Sequence, residues 1–183
     1  MTETENARMM PEMVTDDLCL RKCSQKDIEE FYRLAVNPNV TKFVQWDNHK
    51  SIEETISYVT SLEEEFSKGD RMTWAICSRA ADVFMGLVSL SQINEKNFSA
   101  EAGFWLGEEH WNNGYATQAL KAVIDYGLYG NLNLHRIYAR HFVEHLACGR
   151  VLQKAGMIFE GVERGSVYSK GRFFDAARYA ITK

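Results

Sequence analysis

The spacing of hydrophobic and polar residues changes period several times along the chain, and each change marks an element. Leu18–Cys23 alternates apolar and polar side chains, which predicts a first strand. Ser24, with Asp27 three residues on, reads as a helix start. Ile28, Phe31, Tyr32 and Ala35 then share one helical face until Asn37-Pro38 ends it. A second helix starts at Ser51, with Glu54 placed to complete a capping box. Ile52, Ile56, Val59 and Phe66 line one side of that helix, Glu63, Glu64 and Glu65 face mostly water, and Lys68-Gly69-Asp70 stops it. The period then shortens to two. Met72–Ser78, Val83–Gln92 and Ser99–Leu106 read as three antiparallel strands joined by polar turns. A helical period returns from Gly114 to Tyr129, with Ala116, Ala119, Leu120, Val123, Ile124 and Gly127 inward. His135–Val143 reads as a strand, Glu144–Ala155 as a helix, and Met157–Glu163 with Arg172–Ile181 as a closing strand pair. The order β-α-α-β-β-β-α-β-α-β-β predicts a single mixed α/β domain: a mostly antiparallel sheet of about seven strands, with helices on both faces. Internal repeats and low-complexity segments are absent from the sequence.

Composition narrows the class. The 183 residues are 45% apolar and 25% charged, near globular averages, which excludes disorder, collagen and coiled coil. A chain of this length buries enough surface to need neither disulfide nor metal. No apolar run approaches 18 residues, so no membrane span is expected. The start, Met-Thr-Glu-Thr-Glu, lacks an apolar secretory core. Residues 1–16 read as a polar, flexible lead-in to a domain over 17–183. Cys19, Cys23, Cys77 and Cys148 form no CxxC pair, and a disulfide between Cys19 and Cys23 on one strand would be strained. A reduced, cytoplasmic chain is expected. The net charge of −4 argues against nucleic acid. It is unevenly spread: residues 1–70 carry 8 basic and 15 acidic side chains, the remainder 13 and 10. Such a division suits a protein handling a cation on one side and an anion on the other, or simply two differently solvated surfaces.

The most informative stretch is His110-Trp111-Asn112-Asn113-Gly114-Tyr115-Ala116-Thr117. It follows a strand and opens a helix, whose first turn offers unpaired N–H groups and the positive end of the macrodipole. Gly114 lets the backbone bend toward a ligand and Ala116 keeps that approach clear. The turn is either a phosphate cradle or an ordinary strand-to-helix connection. No GxxxxGK[ST] and no GxGxxG accompany it.

Four segments together carry a resemblance. Ser99–Gly107 is followed by Trp111–Thr117; Leu134-His135-Arg136-Ile137 comes next, and then Arg150–Gly161. From about Leu18 to the C-terminus the chain resembles the GNAT superfamily of acyl-CoA-dependent N-acetyltransferases. More narrowly it resembles the RimJ/RimL branch, the ribosomal-protein N-terminal acetyltransferases. The resemblance implies acetyl-CoA as co-substrate, its pyrophosphate held by backbone N–H groups of Trp111, Asn112, Asn113, Gly114, Tyr115, Ala116 and Thr117. It implies that the strand at Phe104–Leu106 splays from its neighbour and pairs with the pantetheine arm. A backbone N–H of Trp105 or Leu106 would serve as oxyanion donor. On the residues alone, alternation sends Phe104 and Trp105 to opposite faces, so one belongs to the core.

Thioester aminolysis needs a neutral amine, and a carboxylate can relay its proton through water. Glu101 is the candidate base, at a position where many members of the resembled family carry one; its plain alternative is a polar residue on a strand face. Many members place a Tyr general acid where Leu152 stands here. The helix entrance of the branch, Asn-x-x-Ser, reads His145-Leu146-Ala147-Cys148. Cys148, near a helix N-terminus that lowers a thiol pKa, could protonate the leaving thiolate or simply pack as a small hydrophobe. His145 could act in the same place, and both belong to the expected cofactor contacts. His141 and His145 are expected on different elements, so no metal site is expected. Arg150 is a candidate phosphate contact, and Asp175 a hydrogen-bonding anchor.

In the resembled family the first two helices and the last strand pair wall the acceptor site. Glu29, Glu30, Glu53 and Glu54 on those helices favour a cationic amine, with Trp46 and Tyr58 as an aromatic wall. The expected activity is acetyl transfer to a primary amine, a protein or peptide N-terminus favoured, by direct attack in a ternary complex. Polyamine or aminoglycoside acetylation and a catalytically silent acyl-CoA-binding module are the alternatives; a nucleotide-binding domain using the same turn is weaker. A homodimer is left open.

Overall fold

The computed structural model describes residues 10–183. Eight strands form one sheet: β1 (Met13–Val14), β2 (Leu18–Lys22), β3 (Arg71–Ser78), β4 (Phe84–Asn94), β5 (Ser99–Leu106), β6 (Arg136–Phe142), β7 (Ile158–Ser169) and β8 (Arg172–Thr182). Their spatial order is β1-β2-β3-β4-β5-β6-β8-β7. Every neighbouring pair is antiparallel except β5 and β6. The helices are α1 (Ile28–Ala35), α2 (Pro38–Thr41), α3 (Ile52–Lys68), α4 (Tyr115–Tyr129) and α5 (Leu146–Lys154). This is the mixed α/β fold the pattern predicts, with two additions.

The first addition is β1. Residues 10–16 are not a loose lead-in; Met13 pairs with Leu20, and the Trp74 indole donates to the Pro11 carbonyl at 2.8 Å. Met10 and Met13 pack on the main core. Short polar runs hide such edge strands, because two residues carry no readable alternation. The rest of the expected lead-in, residues 1–9, lies outside the described residues. The second addition is α2. Asn37 ends α1 and also starts α2, its side chain accepting from the Asn39 N–H at 2.9 Å, with Pro38 at the first helical position.

Period-two alternation sends the two faces of the sheet to two cores. Leu18, Leu20, Trp74, Ile76, Val88, Ala100 and Ile137 point toward α4 and α5, where Leu120, Val123, Ile124 and Leu152 meet them. Ala75, Cys77, Phe84 and Leu87 point toward Phe31, Leu34 and Ala35 of α1 and Leu62 of α3. The buried seam of α3 runs through Thr55 and Leu62; of the expected face, Val59 and Phe66 pack inward while Ile56 is 43% exposed. Thr55 can sit inward because its hydroxyl meets His49 Nδ1 at 2.7 Å. The expected capping box at Ser51 does not form as such: Glu54 accepts from the Lys50 N–H at 2.8 Å.

Beneath α1 lies a sealed ion pair. Arg21 donates to both carboxylate oxygens of Asp27, at 2.8 and 2.7 Å, and its Nε reaches Asp82 at 2.7 Å. Asp27 also accepts from the Ser24 N–H at 2.8 Å. Arg21 is 8% exposed and Asp27 2%. The guanidinium and the backbone donor hold the Asp27 carboxyl below the usual carboxylate range, against the opposing effect of burial.

Candidate active site

The parallel pairing of β5 with β6 is short. It joins Ser99, Ala100 and Glu101 to Arg136, Ile137 and Tyr138, and then stops. Beyond Glu101, β5 stays on β4 through Leu106, whereas β6 stays on β8 through Phe142. The sheet therefore opens into a V between residues 102–106 and 139–142. A cleft of about 1080 Å³ fills it, bordered by the N-terminal ends of α4 and α5 and by the α2–α3 connection. Among the described residues, one edge of β5 in this stretch has no strand partner, so its peptide groups are open to a ligand.

The turn after β5 closes one end of the cleft. Trp111 Nε1 donates to the Leu106 carbonyl at 2.8 Å, and Asn113 Nδ2 to the Trp111 carbonyl at 3.0 Å. Asn112 and Gly114 both take the left-handed conformation, with φ of 63° and 80°. A Cβ on Gly114 would meet nothing within 4 Å, so the space in front of α4 is open. Among the described residues, the N–H groups of Tyr115, Ala116 and Thr117 have no carbonyl partner, as a helix start dictates. Asn112, Gly114, Tyr115, Ala116 and Thr117 line the cleft, and Arg150 and Lys154 bring two cations to it from α5. Lys154 was not singled out from the sequence, although its spacing of four from Arg150 puts both on one helical face. Unpaired amides, open space and two cations fit a pyrophosphate, and the unpaired strand edge fits an arm built of amides.

Phe104 and Trp105 divide as alternation predicts. Phe104 packs on the core beneath α4, Trp105 on the core beneath α1, and both also border the cleft. Glu101 lies at the point of the V. Its carboxylate accepts from Arg140 Nε at 2.9 Å, from Arg140 Nη2 at 3.2 Å and from Gln92 Nε2 at 2.7 Å. Arg140 in turn reaches Glu163 at 3.5 Å. A carboxylate offers about four acceptor positions, so roughly one remains open.

The entrance of α5 departs from expectation. Burial pushes the Cys148 thiol up to about 12, the reverse of the lowering expected at a helix N-terminus. In a nine-residue helix the desolvation of a thiolate outweighs the end-of-helix field. Cys148 is thus a protonated, cleft-lining thiol. His145 caps α5 and stacks on Phe43, ring centroids 4.6 Å apart. Burial, and then His141, push its imidazole down to about 4, so it is neutral. Leu152 is fully buried at the cleft wall, with no hydroxyl to offer. Asp175 is the anchor expected of it: its side chain accepts from the Gly165 N–H at 2.7 Å.

On the other side of the cleft stand Trp46 and Tyr58, as expected, together with Phe31 and His49. Glu29, Glu30, Glu53 and Glu54 do not line it. Glu30 instead pairs with Arg33. Arg71 and Arg140, which the sequence reading passed over, do line it. Among the described residues no group of three His, Cys, Asp or Glu side chains is placed to hold a metal, and no helix is long and apolar enough to cross a membrane.

A split sheet with a helix N-terminus at its mouth defines a site for an acyl thioester carried on a nucleotide handle. Comparison with known proteins agrees. Residues 17–158 match the model of the acetyltransferase (GNAT) domain. An uncharacterized N-acetyltransferase, YoaA of Bacillus subtilis, is 32% identical over 175 residues, covering 96% of this chain and 98% of its own. The spermidine N(1)-acetyltransferase of Vibrio cholerae is 26% identical over 171 residues, 92% and 94% of the two chains. Among solved structures, RimL, a ribosomal L7/L12 α-N-protein acetyltransferase in complex with coenzyme A, superposes with a TM-score of 0.84 at 21% identity, covering 93% and 96%. The chain belongs to the GNAT acetyltransferases. It is an acetyl-CoA-dependent N-acetyltransferase that delivers the acetyl group to an amine.

Proposed function

We propose that Glu101 is the catalytic base and that residues 111–117 with Arg150 hold the pyrophosphate of the acyl donor. The observation that carries this is the opening of the sheet directly beyond Glu101, facing the N-terminus of α4. Acetyl-CoA supplies the activated acyl group; the remaining chemistry is this chain's. The unpaired edge of β5 orients the thioester, and an N–H of Trp105 or Leu106 donates to the oxygen that becomes negative, worth about 3–4 kcal/mol in comparable sites. The open acceptor position on Glu101 takes the amine proton through a water, with Arg140 and Gln92 fixing the carboxylate. Direct attack in a ternary complex needs no covalent enzyme intermediate, because positioning alone contributes about 7–11 kcal/mol.

Neither Cys148 nor His145 suits the general acid. A thiol held this far up is a poor proton donor near neutral pH, and a neutral imidazole has no proton to spare beyond its ring N–H. We assign both to contact with the cofactor arm, and the leaving thiolate recovers its proton from the amine and solvent. The acceptor is a primary amine, and the site is expected to work in the cytoplasm. A homodimer would use the open edge of β7, where Ile158, Phe159 and Val162 are exposed; sedimentation tests it.

Chromatographic detection of CoA release from acetyl-CoA, with a panel of free-N-terminus peptides, amino acids, spermidine and aminoglycosides, tests the reading. Glu101→Gln is expected to lower amine-dependent kcat by roughly 10²–10⁴-fold with little change in KM for acetyl-CoA. Gly114→Val, which forces a β-branched residue into a left-handed position, is expected to raise that KM instead. Near-normal turnover of Glu101→Gln across pH refutes the base assignment.

A further inference from the structure

The end of the cleft away from the α4 turn carries chemistry that an acyl donor does not use. The sheet register puts Arg71 opposite Ser91, Ser91 opposite Glu101 and Glu101 opposite Tyr138, one row across four strands. Strands lie about 4.8 Å apart, so the backbones of Arg71 and Glu101 are about 10 Å apart, within reach of a molecule held between their side chains. Glu101, Gly103 and Trp105 share one face of β5 by alternation and form a floor. Gly103 keeps that floor low: a Cβ there would stand 3.5 Å from the Ser89 hydroxyl, inside the cleft. Rings make the wall. Trp46 meets Trp105 at 5.5 Å between centroids, Phe31 meets Tyr58 at 5.6 Å, and His49 meets Tyr58 at 6.3 Å. Burial pushes the His49 imidazole down, so this wall is uncharged at neutral pH.

Arg71 is a cleft-lining arginine with a buried Nε that nothing satisfies. That Nε has no hydrogen-bond partner among the described residues, while its Nη1 makes only a long hydrogen bond to Glu65 at 3.5 Å and the side chain is one-third exposed toward the cleft. By contrast Arg21, Arg33, Arg140 and Arg178 each hold a carboxylate at 2.9 Å or less. An unpaired buried donor on a permanent cation is costly, and a ligand anion relieves it. The acidic residues of α1 and α3 that favoured a cationic acceptor stand outside this wall.

We propose that the acceptor is a small α-amine bearing its own carboxylate, a free amino acid with an aromatic or apolar side chain, and that Arg71 binds the carboxylate. This rests on the acetyltransferase reading of the same site. The planar guanidinium suits a carboxylate. The ring wall takes the side chain, and the amine faces Glu101. A polyamine gains nothing at this end, since a second ammonium would sit against Arg71.

The test compares kcat/KM for L-phenylalanine, L-phenylalaninamide, spermidine and a free-N-terminus peptide, using the full chain and acetyl-CoA. The wild type is expected to prefer phenylalanine over spermidine and the peptide. In Arg71→Gln the ratio of phenylalanine to its amide is expected to fall by about 10–100-fold, chiefly through KM for phenylalanine. Taking the ratio of ratios cancels the different basicities of the two amines. Arg71→Lys keeps the charge without the fork and is expected to fall between. An equal loss for acid and amide overturns the proposal and makes Arg71 structural. So does a wild type that turns over spermidine or the peptide faster than phenylalanine. No turnover of any amine, with acetyl-CoA still raising the melting temperature, removes the amino-acid acceptor and leaves the donor site standing. Loss of that thermal shift as well removes the acetyltransferase reading itself.

Discussion

Two arginine–carboxylate clusters on the same face of one sheet show how access to solvent decides what an ion pair is for. Arg21 and Asp27 lie under α1, 8% and 2% exposed, with their hydrogen bonds closed on each other, on Asp82 and on Ser24. Arg140 and Glu101 make the same bidentate contact, but at the point of the V, where the cleft leaves the carboxylate an open side. The first cluster stands outside the cleft lining and fixes the β2–α1 corner. The second is a held carboxylate with something left to accept.

Breaking the sealed cluster is expected to have the largest effect. Arg21→Ala strands a buried carboxylate and is expected to cost about 3–5 kcal/mol of stability, read as a lower denaturation midpoint. Its kcat/KM, measured where the variant is folded, stays near wild type. Arg140→Gln is expected to invert that pattern: stability changes by about 1 kcal/mol or less, while kcat falls roughly 10–100-fold at constant KM for acetyl-CoA, because the carboxylate loses its orientation. Arg140→Lys recovers part of the rate. A stability loss from Arg140→Gln as large as that from Arg21→Ala erases the distinction.

Acid separates the two regions a second way. His145, at the cleft, titrates at about 4 when folded and near 6.5 when unfolded, so the unfolded chain binds more protons between those values. Stability therefore falls as pH drops from 6.5 toward 4, and His145→Asn flattens that limb in a thermal-melt series. Asp27, lowered when folded, stabilises above its unfolded value of about 3.9 and adds a further loss below it. The smallest effect is at the surface. Arg172 meets Glu144 at 3.4 Å with both side chains more than half exposed, and Arg172→Ala is expected to shift stability by less than about 0.5 kcal/mol.

The donor end of the cleft was legible in the sequence because backbone builds it. A strand, a turn with Gly114 and a helix start are contiguous, and local pattern is enough to place their amides. The acceptor end was legible only in part: Glu101, Trp46 and Tyr58 stand out in the sequence and line the cleft, but the way they meet Arg71 and Arg140 does not. Arg71, Ser91, Glu101 and Arg140 meet only through register across β3, β4, β5 and β6, which periodicity does not specify. The acids Glu29, Glu30, Glu53 and Glu54 lie outside the cleft lining, because composition counts charges without saying which way each one points. Cys148 misled for a related reason: its place at a helix start was readable, the burial that governs its thiol was not.

The short parallel pairing of β5 with β6 has a mechanical side. It is a seam: among the described residues, three residue pairs are the strand pairing that joins the five strands β1–β5 to the three strands β6, β8 and β7. Helix α4 lies across β4, β5 and β6, a bar bolted over the join. The two panels are held across that line by side chains, Arg140 on Glu101 and Tyr138 on Gln92, and by the same helix that offers its first-turn amides to the cleft.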